Sequence, residues 1–109
     1  MIERSEVSGA REGPIATRLM NARVRQSGEE ITIKISIGRP YWIQEGFEAG
    51  CPVTFEGLYG KQPDIRGIDP IDSLRNAIKL IDSLLSGAQT EHELLWPDGE
   101  PFENPEQGR

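Results

Sequence analysis

Cys51 and His92 are the one thiol and imidazole in this sequence that could act as a nucleophile and its base. A thiolate activated by an imidazole is a working catalytic arrangement. Cys51, however, alternates in phase with Val53 and Phe55, which places it on a core face. A thiol buried among apolar groups behaves as an inert small hydrophobe. His92 stands among acids. One Cys and one His cannot build a structural zinc site. Asp64, Asp69 and Asp72 are close in sequence and are the right type to hold a hard cation. Asp69 is better used as a helix cap, because Pro70 follows it. The run Gly57-Leu58-Tyr59-Gly60-Lys61 lacks the strand–turn–helix context of a phosphate loop, since its turn joins two strands. No catalytic residue, metal or cofactor is assigned, and the chain is expected to be non-enzymatic.

The strongest functional signal is a segment of another kind. Gly38 to Gly50 reads as a long loop between two strands, and it holds Arg39, Tyr41, Trp42 and Phe47. Loops of this length in a compact domain usually carry function. Tyr and Trp are large amphipathic side chains that dominate interfaces. Two readings stay open: the aromatics fold back over an open end of the core, or they contact a partner. Tyr41, Trp42, Phe47 and Arg39 are the candidate partner-binding residues. The expected partner is another protein or a second copy of the chain.

These residues need a scaffold, and 109 residues suit a single domain. Hydrophobic residues make up 36% of the chain, which is low. The large apolar side chains fall between residues 14 and 96, with a polar N-terminal arm at 1–13 and an acidic, Pro-containing tail at 97–109. The net charge of −6 is uneven: from Thr90 onward there are six acids and one base, against 12 acids and 11 bases before it. No basic cluster survives its acidic neighbours, which argues against nucleic-acid binding. No apolar run approaches a membrane span. A lone cysteine and the absence of a signal-peptide layout fit a cytoplasmic protein.

Ile31, Ile33, Ile35 and Ile37 alternate with Thr32, Lys34 and Ser36, which defines a strand from Glu30 to Ile37 with one apolar face. Ile15 to Arg25 is a preceding strand whose phase breaks near Leu19–Met20, as a bulge would break it; it also fits a short helix. The turn at Gln26–Glu29 pairs the two as a hairpin. Cys51 to Leu58 and Ile65 to Ile68 are further strands. Asp69-Pro70 opens a helix with Ile71, Leu74, Ala77, Ile78, Ile81, Leu84 and Leu85 on its apolar side, and Ser86-Gly87 ends it. Ile78 is expected to face Ile33. Thr90 to Leu95 fits a further turn of helix, and Trp96 to Glu100 a turn that closes on Pro101–Phe102 or ends the order.

The landmarks Ile31 to Ile37 followed by Gly38-Arg39-Pro40, then Cys51-Pro52 with Val53 to Leu58, then Gly67-Ile68-Asp69-Pro70 before the helix, resemble a family of small uncharacterised bacterial proteins over about residues 15–96. The resemblance implies a sheet-plus-helix fold and a bacterial origin, and carries no catalytic residue. The fold expected is α+β: a four-stranded antiparallel meander packed against one long helix, with polar termini. The function expected is a protein-binding or accessory module of immunity or regulatory type. The alternative is a small-molecule-binding protein or enzyme with a pocket between the 38–50 loop and the helix.

Overall fold

The isoleucine strand organises the molecule as its alternation requires. Ile33 and Ile35 are buried, Ile31 and Ile37 are partly buried against the core, and Thr32 and Lys34 face solvent. The computed structural model describes residues 13–103. The outer parts of the expected N-terminal arm and acidic tail, residues 1–12 and 104–109, lie outside the described residues. The elements are β1 (Ala16–Val24), β2 (Glu30–Ile37), β3 (Tyr41–Gln44), β4 (Glu48–Cys51), β5 (Val53–Glu56), β6 (Gly60–Lys61), β7 (Ile65–Gly67), α1 (Pro70–Ala88) and β8 (His92–Leu95).

The class is α+β, with one helix among the described residues and antiparallel pairing throughout. The expected four-stranded meander is corrected to two sheets: a five-stranded one in the order β6-β5-β2-β1-β8 and a three-stranded one in the order β3-β4-β7. Pro52 explains the division. The continuous strand expected from Cys51 to Leu58 breaks there, because proline has no N–H to give to a ladder. Cys51 ends β4 in the small sheet and Val53 begins β5 in the large one. The Gly38 N–H donates to the Pro52 carbonyl at 2.9 Å and closes the neck of the excursion.

The Ile15–Arg25 segment is a strand without a bulge. Its pairing with β2 runs unbroken from Ala16 opposite Ile37 to Arg23 opposite Glu30. The apparent change of phase has another cause. Leu19 points outward and is 54% exposed, while Arg18 lies on the same side as buried Met20 and Ala22. That inward arginine is accommodated by aromatic faces: its guanidinium lies 5.5 Å from the Trp96 ring centroid and 5.9 Å from that of Phe102. Such contacts hold a cation against an apolar surface.

Beyond the helix, Thr90–Leu95 does not make another helical turn. His92–Leu95 forms β8, an outer strand paired with β1. The Trp96–Glu100 turn then folds back, with the Trp96 N–H donating to Glu100 O at 2.8 Å and the Phe102 N–H to Leu94 O at 2.9 Å. Phe102 is buried and meets Trp96 edge to face. The core thus extends past residue 96.

Helix α1 starts as its sequence requires. Asp69 Oδ1 accepts the Asp72 N–H at 2.7 Å, and Asp72 Oδ2 accepts the Ile68 N–H at 3.0 Å. This is a reciprocal cap on two amides that lack helical partners. Gly87 does not stop the helix; it ends one residue later at Ala88, with Gln89 as a right-handed cap. The buried stripe is Ser73, Ala77, Ile81, Leu85 and Ala88. Ile71 and Ile78 are 70% and 46% exposed, so neither belongs to the core, and Ile78 is not the buried partner of Ile33. The stripe is narrower than the periodicity indicates because the first half of α1 lies directly on β4 and β7. A Cβ at Gly67 would fall 2.4 Å from the Ser73 backbone nitrogen, so only glycine permits this approach.

Gly67→Ala is therefore expected to cost about 1–3 kcal/mol or more, as overpacking of a tight contact does. Ile71→Ser should stay within about 0.5 kcal/mol of the parent, as exposed positions do. Urea melts of both variants check the assignment, and equal losses at the two positions would contradict it.

Candidate functional site

The segment from Gly38 to Gly50 is not an irregular loop. It is the β3–β4 hairpin, turning at Gly46, which has a φ of +83°, with the Phe47 N–H donating to Gln44 O. β3 is one of the two outer strands of the small sheet, β7 being the other, and pairs only with β4 among the described residues. All four of its residues, Tyr41, Trp42, Ile43 and Gln44, are exposed, and none is charged.

The strand's two faces differ. Tyr41 lies opposite Gly50, which lies opposite Arg66, and this side of the sheet faces solvent. The Tyr41 ring and Ile43 occupy the space above Gly50: a Cβ there would meet the Tyr41 hydroxyl at 2.9 Å and the Ile43 Cδ1 at 3.3 Å. The hydroxyl crosses the sheet and donates to Asp64 Oδ2 at 2.5 Å. Donating this bond stabilises the protonated phenol, and with burial and the nearby carboxylate it raises the Tyr41 pKa above the ordinary tyrosine value. Arg66 pairs with Glu48 on the same face. Trp42, opposite Ala49 and in line with Gly67, lies on the side of the sheet that carries α1. Phe47, at the hairpin turn, is 72% exposed. Arg39 is exposed just before the strand.

The four residues singled out from sequence are thus gathered along one hairpin. Tyr41 is tied down on one face, Trp42 is half-covered on the other, and Phe47 and Arg39 flank the strand. Ile43, Asp64 and Arg66 complete the surface and were not foreseen. Ile43 could have been found from the β-forming run Tyr-Trp-Ile ahead of the Gly46 turn. Asp64 and Arg66 reach the surface only through the β4–β7 pairing, which leaves no local signal.

The thiol and imidazole stand on different sheets. Cys51 is buried at the end of β4, with Sγ 3.7 Å from Gly38 O. His92 is on β8, where Nδ1 donates to Ala88 O at 3.1 Å. Burial, with Asp64 nearby, pushes the Cys51 thiol above its ordinary pKa, which disfavours the thiolate that a nucleophile needs. The three aspartates are likewise engaged separately: Asp64 by Tyr41, Asp69 in the cap, and Asp72 by the Ile68 amide with Arg75 at 3.6 Å. Among the described residues no three His, Cys, Asp or Glu side chains converge as metal ligands. Tyr59, in the Gly57–Lys61 turn, packs edge to face on Phe55 and donates to Leu84 O at 3.3 Å, so that turn is pinned to the core.

A groove of about 220 Å³ does border the helix, but β1 and β2 line it, not the 38–50 segment. Ala16, Ile35, Ile37, Ile78 and Ile81 form its apolar walls, with Arg18 and Asp82 as its charged members. No helix among the described residues is long and apolar enough to cross a membrane. No protein-family model, curated protein or solved structure matches the chain.

Cys51 should react with a thiol reagent only as fast as the protein opens, and urea should accelerate the reaction. Rapid stoichiometric labelling of the native protein would contradict its burial. Because the folded pKa of Cys51 is raised, its contribution to stability is complete below the ordinary thiol range and is lost as pH rises through and beyond it. Tyr41 acts in the same direction at higher pH. Melting temperatures measured from neutral to strongly alkaline pH should fall, and Cys51→Ala should flatten the first part of that decline.

Proposed function

We propose that this protein acts by protein contact, as an accessory or regulatory module, and that the β3 hairpin is its contact element. The observation that carries the reading is the outer strand Tyr41-Trp42-Ile43-Gln44, exposed at every position and without charge. Outer strands present unpaired backbone donors and acceptors, and proteins normally blunt them with charged side chains. An edge left neutral and aromatic is suited to receive a partner by strand addition, with the backbone giving affinity and alternate side chains giving specificity. Phe47 at the turn enlarges the apolar area. Membership of a small bacterial family and a cytoplasmic, immunity-type role are the versions of this reading that fit the chain's size, acidity and landmarks.

The small-molecule reading has less support. The groove beside Ile78 is smaller than the roughly 300–1,000 Å³ of ordinary ligand sites. Its lining offers Arg18 and Asp82 but no convergent set of polar groups, and Arg18 is already stacked on Trp96 and Phe102.

A photo-crosslinking amino acid placed at Ile43 or Phe47 should give discrete protein adducts in the native cell. The same group at Lys79, on the exposed side of α1, should give none. Equal labelling from both surfaces, or none from β3, would refute the hairpin as the contact element.

A further inference from the structure

The side of β3 that faces away from β4 continues the side of β2 that β1 occupies. β2 leads into β3 through residues 38–40, and β4 leads into β5 through Pro52, so the two runs lie antiparallel along both sheets. Ile37 is opposite Val53 and Tyr41 is opposite Gly50, which puts β4 on the same side of β3 as β5 is of β2. The other side of β2 belongs to β1. Followed past Ile37, that side becomes the open side of β3.

The chain before β1 is directed along this course. Ala16 lies opposite Ile37 in an antiparallel pair, so residues before Ala16 run level with residues after Ile37. The Ile15 N–H donates to Ile37 O at 2.8 Å, and Pro14 lines the same surface depression as Gly38 and Pro52. The described chain therefore still follows β2 towards β3 at its first residues. Counting back from Ala16 opposite Ile37 sets Glu12 opposite Tyr41 and Gly9 opposite Gln44. The bend at Ile15 absorbs at most one residue, which moves the count to Arg11 and Ser8. In either register residues 8–12 span β3.

We propose that residues 8–12 add to β3 as an antiparallel fourth strand of the small sheet, and that a protein partner reaches this edge by displacing them. The displacement rests on the contact role of the hairpin given above; the pairing itself does not. Covering an edge from within the chain is one way proteins keep it from stray association, and it accounts for an edge that carries no charge of its own. The segment is tethered directly to β1, so closing it onto β3 costs little chain entropy. Gly9 and Ala10 are poor strand formers with little side chain to pack. Such a strand is held mainly by its backbone hydrogen bonds. It yields to a partner strand whose side chains pack against Trp42 and Ile43.

Three measurements on the full chain test this. Residues directly opposite in an antiparallel pair have Cα atoms about 4.5–5.5 Å apart, within disulfide range. Mild oxidation should therefore close a disulfide within a single chain for Ala10→Cys combined with either Ile43→Cys or Trp42→Cys, at every protein concentration. A10C with K79C should stay open. In hydrogen exchange, the amides of Tyr41–Gln44 that point away from β4 should be protected. The double variant A10P/R11P removes two adjacent N–H groups, one of which faces β3, and should speed that exchange about fivefold or more, the weight of one backbone hydrogen bond. A photo-crosslinking group at Phe47 should give more partner adduct in the native cell when the A10P/R11P changes are present, by a similar factor.

If neither cysteine pair closes better than A10C with K79C, or if those amides exchange as in an unfolded chain, the pairing is overturned; adducts from position 47 would then show that the contact role survives without it. If the disulfide closes and the amides are protected but A10P/R11P leaves the adduct yield unchanged, the displacement is overturned. No adduct from position 47 with or without the prolines overturns the displacement together with the contact role on which it rests.

Discussion

The close contact between Gly67 and the Ser73 backbone sets the geometry of the molecule. One helix serves two sheets. Its first half lies directly on the small sheet, where Ser73 and Ala77 keep the spacing tight, and its second half reaches the large-sheet core through Ile81, Leu85 and Ala88. Ile78 lies beside an open groove and Ile71 is in solvent. The helix packs on β4 and β7, while β3 is an outer strand that pairs only with β4 among the described residues.

Much of this was legible because it is local. The isoleucine alternation located β2, the Gln26–Glu29 turn located its hairpin, and Asp69-Pro70 located the helix start. What escaped depends on residues distant in the chain. Arg18 turns inward because Trp96 and Phe102 offer it aromatic faces, and nothing within β1 announces this. Leu19 therefore suggested a bulge that the backbone does not contain. The helix periodicity gave a broad apolar side, but the separation of the sheets decides which part of it is covered. The second sheet was concealed by its short strands, bounded by Pro40 and Pro52. At the site, the residue types of Tyr41, Trp42 and Phe47 single out a segment whose aromatics the structure leaves exposed. The partnership of Tyr41 with Asp64 required a register between β4 and β7 that no spacing encodes.

The chemistry that the sequence offers on paper is dispersed by the same architecture. The thiol closes the small sheet, the imidazole caps the last turn of the helix from the large one, and each carboxylate of the 64–72 cluster has a structural duty. Groups already committed to holding backbone amides and a tyrosine hydroxyl are poor candidates for proton transfer, since displacing them costs the fold. The exposed side chains of Trp42, Ile43 and Phe47 lie instead at a sheet edge and its turn, outside this set of hydrogen bonds.

The pairing of β1 with β8 also has a consequence for how the chain is made. β1 is the first strand of the described fold to leave the ribosome, and its second neighbour, together with the aromatic pair that receives Arg18, is the last. Until residues 92–102 emerge, the outer side of β1 stays an open edge. Charged side chains discourage stray pairing at such edges, and β1 carries Arg18 and Arg23. In the finished protein Arg18 lies on Trp96 and Phe102, and Arg23 lies between Glu30 and Glu93 at 3.3 and 2.9 Å. The same two arginines thus join the first strand of the described fold to its last.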